Sequence, residues 1–186
     1  MSFDFSDTNS INSMFTAAYQ QTLDTFRTLV NAIIPRSPIL AYEYGAVQYY
    51  GALDLHTDEF VVLTLNSLSI PLAQPVANLL NIAANSYEAK YHYNQFNVLT
   101  GLNLLQTDLS NLPLPFYNNP WLVAEITNSL LSYTMMGYYS EWAGYGSTRL
   151  KRPNQRRLEY YPISWKQIGY PGPSLGYHAL RTYSFT

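Results

Sequence analysis

FTAAYQQTLDTFRTLVNAIIPRSP, residues 15–38, sets apolar side chains at Phe15, Tyr19, Leu23, Phe26, Val30 and Ile33. Steps of three and four put them on one face of an α-helix. Pro35 then removes an N–H and stops the run. The spacing predicts a helix over residues 14–34, and a helix with one apolar stripe needs a body to bury it against.

Outward from that helix the same period recurs. ILAYEYGAVQYY, residues 39–50, is apolar at nearly every position and predicts a short buried helix. LDLHTDEFVVLTLNSL offers Thr57 as an N-cap, with Asp58 and Glu59 in a first turn where acids complement the helix dipole. Beyond it, Pro75 suits a helix start, and Val76, Leu79, Leu80 and Ala83 supply an apolar face. A short segment around residues 98–109 and the connection SNLPLPFYNNP follow. Asn119 and Pro120 then cap a helix from Trp121 to about Met136, through Val123, Ile126, Leu130 and Tyr133. From Gly137 onward the chain is rich in Gly, Pro, Tyr and Arg, and neither period is clear. The expected architecture is all-α: one domain over residues 1–186, an irregular helical bundle over 14–136 and a long C-terminal arm over 137–186.

Charge is scarce and unevenly placed. Asp, Glu, Lys and Arg make up 12% of the 186 residues, against roughly 25% in an average soluble domain. Hydrophobic residues make up 47%, and Tyr occurs 18 times. Half the usual charge suits a chain whose surface is covered by another protein. From Arg149 onward there are seven bases and one acid, Glu159, a net of +6; residues 1–148 hold three bases and eleven acids, a net of −8. RLKRPNQRR has neither a recognition helix nor the aromatic interleaving of a stacking surface, which argues against nucleic acid. It is expected to lie across its own acidic helices or across a partner.

Few residues could carry chemistry. Cysteine is absent, which removes thiolate catalysis, disulfides and Cys-held metals. Asp54, His56 and Asp58 would face one way only on an extended segment, and a helix start explains them without a metal. Glu88 and His92 share a helix face but occur once and at the wrong spacing for a di-iron bundle. His178 stands among aromatics. GYGSTR, residues 144–149, is no phosphate-binding loop because no Gly-Lys-Ser/Thr follows. No catalytic, cofactor-binding or metal residue is therefore assigned.

The arm itself is the candidate site. GYYSEWAGYG, residues 137–146, and IGYPGPSLGYH, residues 168–178, join rigid amphipathic rings to backbone that permits close approach. Such a surface suits a protein interface, stacking on sugars, or packing onto its own helices. The residues singled out are Tyr138, Tyr139, Trp142, Tyr145, Gly169, Tyr170, Pro171, Gly172, Pro173 and Tyr177. Gly172, between two prolines, is expected to hold a turn that a side chain would disturb.

These residues also carry a resemblance. NAIIPRSP closing the first helix, GYYSEWAGYGS and SWKQIGYPGPS resemble the gluconate 2-dehydrogenase subunit 3 family over nearly the whole chain. The resemblance implies a small subunit without a cofactor of its own. It would assist folding or export of a large FAD-dependent dehydrogenase subunit of the glucose-methanol-choline type and stay bound to it, often beside a multihaem cytochrome. Many such subunits begin with a twin-arginine signal. Here Arg156 and Arg157 lie far from the start, and no basic segment with an apolar run opens the chain. The expectation is therefore cytoplasmic, or periplasmic and membrane-associated if a signal was removed or export is with a partner. No run reaches the ~20 apolar residues that span a bilayer. Two other readings stay open: a free-standing carbohydrate-binding or sugar-modifying protein, and a self-assembling structural protein.

Overall fold

A computed structural model describes residues 8–91, 101–103, 105 and 109–172. Among these the fold is all-α. Helix α1, Thr8–Ile33, starts earlier than the apolar stripe suggests. It buries Leu23, Phe26, Leu29 and Val30. Tyr19 continues the stripe but is 48% exposed.

Helix α2, Pro38–Tyr44, corrects the expectation of a buried segment, for none of its residues is buried. Its ends are held by backbone alone: Ser37 N donates to Gln48 O at 3.0 Å and Gly45 N to Ala41 O at 3.1 Å. Short 3₁₀ turns at Ala46–Gln48 and Ala52–Leu55 lead into the next helix. Between them Gly51 crosses the end of α1 so closely that a Cβ would lie 2.5 Å from Arg36 N.

Helix α3, Thr57–Asn66, is central, with Val61, Val62 and Leu65 fully buried. Thr57 is not its N-cap. His56 holds that position in the left-handed region (φ 53°), and the buried Thr57 Oγ1 has no hydrogen-bond partner. Asp58 and Glu59 do occupy the first turn, where they meet Arg27 at 3.1 Å and Arg149 at 2.6 Å. Helix α4, Ala73–Tyr91, buries Val76, Leu79, Leu80 and Ala83 as its spacing predicts.

Asn119 caps the next helix by accepting from Leu122 N at 3.1 Å. That helix, α5, Pro120–Tyr139, packs on α3 and runs three residues beyond the expected end. Gly137 is the reason. It reads as a stop in sequence, yet it is the point of closest approach, where a Cβ would lie 2.7 Å from Phe60 Cδ1 and 3.0 Å from Thr57 Cγ2.

The arm is more regular than its composition suggests. A 3₁₀ stretch, Glu141–Thr148, kinks at Gly146 (φ 49°), a turn follows at Pro153–Gln155, and helix α6 spans Ile163–Gln167. Indole and phenol groups staple it to the body. Trp142 Nε1 donates to His56 O at 2.7 Å, Trp165 Nε1 to Tyr139 O at 2.7 Å, and Tyr138 Oη to Tyr50 O at 2.8 Å. Among the described residues the basic segment reaches its own acidic body through Arg149 and Glu59.

Candidate docking surface

Helix α5 delivers Tyr138 inward and Tyr139 outward, since neighbours on a helix point about 100° apart. Tyr138 is 2% exposed, and burial, with smaller contributions from Tyr139 and Asp54, pushes its phenol up to about 12. Trp142 is as buried as Tyr138. One side of its ring meets the Phe60 edge, with centroids 5.5 Å apart, and the Arg156 guanidinium covers it at 5.2 Å. The composition of the arm predicts Tyr138 and Trp142 as partner contacts; both are instead part of the chain's own interior. The covered indole is equally unsuited to stacking on a sugar, which needs an open ring face.

The remaining arm residues divide. Tyr145 is half-buried and donates through its hydroxyl to Glu141. Tyr139 and Tyr170 are exposed, as are Gly169 and Pro171. Gly172 is buried with φ +92°, a conformation that suits glycine between two prolines. Pro173 and Tyr177 lie outside the described residues, as do His92 and His178.

An aromatic cluster assembles around Trp165, a residue that the sequence does not single out. Its ring is 5.1 Å from Tyr170 and 5.7 Å from Tyr161, both edge-on, and the Tyr161 hydroxyl donates to Tyr170 O. Gln167 Nε2 then donates to Ala46 O at 3.0 Å, which joins α6 to the turn that follows α2. The cluster therefore lies beside the turn that follows α2, a helix whose apolar side chains stand well out from the fold. Tyr42 is 97% exposed, Ile39 84%, Tyr44 68% and Ile168 51%. Nearby, Arg36 stacks on Tyr49 at 4.8 Å and bonds its hydroxyl at 2.9 Å, which fixes that ring in place.

The exposure of α2 escapes sequence reasoning for a physical reason. A helix apolar on every side reads as fully buried, and PILAYEY gives the same pattern whether its cover is the same chain or another. At about 150–250 Å² for each large aromatic, Tyr42 and Tyr44 with Ile39 and Leu40 present on the order of 500 Å² of apolar surface. That matches the largest apolar patch of a typical monomer, about 300–600 Å², which is often a functional surface.

The acids and the histidine of residues 54–59 are engaged within the fold. Asp54 accepts from Gly51 N, Asp58 is spent on Arg27, and the half-exposed His56 lies 3.9 Å from Glu59. Among the described residues no three His, Asp or Glu side chains are placed to hold a metal ion, and no helix is long and apolar enough to cross a membrane. The chain matches no family model, no curated protein and no solved structure.

Proposed function

We propose that this chain is a non-catalytic subunit that binds a larger protein through the face formed by α2, α6 and Tyr139. On the resemblance carried by the arm, the larger protein is a FAD-dependent sugar or polyol dehydrogenase subunit, which holds the flavin and does the chemistry. The small chain stabilises that subunit, assists its folding or export, and brings no cofactor of its own. A cytochrome subunit would take the electrons in complexes of this kind.

One observation carries the reading. Helix α2 is almost wholly apolar, is held in shape at both ends, and has no buried residue. Exposed apolar area on this scale is unfavourable in water by roughly 25 cal/mol per Å² and is relieved by a partner. An interface centred on α2 and widened by Tyr139, Ile168 and Tyr170 can approach the ~800 Å² per side of a standard complex.

The test is co-expression with the flavoprotein encoded nearest to this reading frame, followed by size-exclusion chromatography and visible absorption. A stable complex whose flavin spectrum belongs to the large subunit is expected, and Ile39→Glu with Tyr42→Glu should dissociate it. A stoichiometric flavin, haem or metal on the isolated small chain would overturn the reading, as would a complex indifferent to both substitutions.

A further inference from the structure

Five of the ten Lys and Arg residues lie between Arg149 and Arg157, with no acid among them. In a chain so poor in charge, solubility does not explain that density. Two of the five are engaged within the fold: Arg149 on Glu59, and Arg156 over the Trp142 ring with its Nε donating to Lys151 O at 3.1 Å. Lys151, Arg152 and Arg157 are exposed, and none is in an ion pair among the described residues.

The loop that bears them is closed at its neck. Thr148 Oγ1 accepts from Arg157 N at 3.0 Å, and Gly144 O accepts from Glu159 N and Tyr160 N at 2.7 and 3.0 Å. Glu159 turns its carboxylate onto Ser147, accepting from N at 2.7 Å and from Oγ at 2.6 Å. Gly146 makes room for it, since a Cβ there would lie 2.2 Å from Glu159 Oε2. The frame is therefore fixed before any ligand arrives.

Neck and loop border a cleft of about 680 Å³ whose lining includes Lys151, Arg157, Asn154 and Gln155, two cationic and two amide side chains. Its size falls among small-ligand sites, roughly 300–1,000 Å³. Glu159 also lines it and stays charged, its carboxylate held by Ser147 and within the field of Lys151, so the lining carries two cations against one anion. No aromatic ring lines it, so it lacks the stacking platform that single-stranded nucleic acid uses. We propose that this cleft binds a compact oxyanion of the phosphate class, either free or as the headgroup of an anionic lipid. Arg157 supplies the planar fork that suits two phosphate oxygens, and Lys151 supplies a point charge from the opposite end of the loop.

Calorimetric titration of the full chain with inorganic pyrophosphate tests the site, and sedimentation with phosphatidylglycerol–phosphatidylcholine vesicles tests the source of the phosphate. Saturable pyrophosphate binding is expected. Replacing both Lys151 and Arg157 by Gln should weaken it by about tenfold or more, the scale of losing charge-assisted bonds. Arg152→Gln removes one charge from the same loop outside the cleft and should change affinity by less than about threefold, the scale of an exposed charge. The altered side chains are exposed, so circular dichroism should be unchanged. Binding of pyrophosphate alone assigns a free phosphate ligand; binding of both probes, with the same loss in the double variant, assigns a lipid headgroup. No heat with millimolar pyrophosphate, or losses as large for Arg152→Gln as for the double variant, would overturn the proposal.

Discussion

Tyr138 shows how much one side chain can tie together. Its phenol crosses 88 residues of sequence to reach Tyr50 O, and its ring meets Tyr139 edge-on at 4.9 Å. Burial lifts the phenol from 10.0 to about 12, so the native state keeps a proton that the unfolded chain loses first. A raised folded value means stability intact below pH 10 and lost as pH rises through about 12. The melting temperature should accordingly fall more steeply over that window in the native sequence than in Tyr138→Phe. At neutral pH the same variant should cost about 1 kcal/mol for the lost hydrogen bond, read by urea unfolding. Gly137, one residue earlier, sets two effects against each other. Alanine would gain about 1 kcal/mol in helix propensity. The added Cβ would press on Phe60, itself backed by Trp142, at a cost of about 1–3 kcal/mol. Overpacking outweighs the gain in propensity, so Gly137→Ala should lower stability, and a variant that melts higher would show that Phe60 yields freely.

At the scale of elements, α1 and α4 are legible in the sequence because an apolar stripe says which way each helix faces; α5 is legible from its Asn119–Pro120 start and its stripe, although its exposed side also carries Trp121, Leu131, Met135 and Met136. Helix α2 is legible as a helix but not in its exposure. Seven residues with almost no polar side leave the facing direction undetermined, and only the placement of the other elements decides it. Thr57 misleads for a related reason: a hydroxyl before two acids has the composition of a cap, whereas the left-handed turn at His56 hands that position to the preceding residue. Within the arm, Tyr, Trp, Gly and Pro show no period, because its regular pieces are 3₁₀ or barely longer than one turn and are held by side-chain bonds across the fold. The glycine between two prolines does take a positive φ of 92°, while the turn itself falls earlier, at residues 168–169. Exposure makes α2 a clean test of what a surface contributes. Tyr42→Lys should change the stability of the isolated chain by less than about 0.5 kcal/mol, the range of surface substitutions, read by thermal melting. In the proposed complex the same change should lower affinity by roughly 2 kcal/mol or more, the scale of an interface hot spot. Equal losses in both measurements would assign α2 to the chain's own stability instead.

For the molecule as a whole, the acidic body and basic arm meet at Arg149 and Glu59, a forked pair at 2.6 and 3.1 Å. Hydrogen bonding to Glu59 raises the already high guanidinium value, in keeping with a permanently charged clamp. Arg149→Ala should destabilise by roughly 1.5–3 kcal/mol, the range for hydrogen bonds to charged groups, and Arg149→Lys should recover only part because an ammonium cannot fork. Calorimetric melting of both variants gives the comparison, and an Arg149→Ala protein as stable as the original would show the clamp to be idle. The three tryptophans divide in a useful way: Trp142 and Trp165 are 2% and 6% exposed, and Trp121, at the far end of α5, is 71% exposed. A collisional quencher such as acrylamide should therefore dim one emitter and leave two bright until the arm lifts away. The native chain thus carries its own optical gauge of detachment, needing no dye and no substitution, with a red shift and newly quenchable light as its readings.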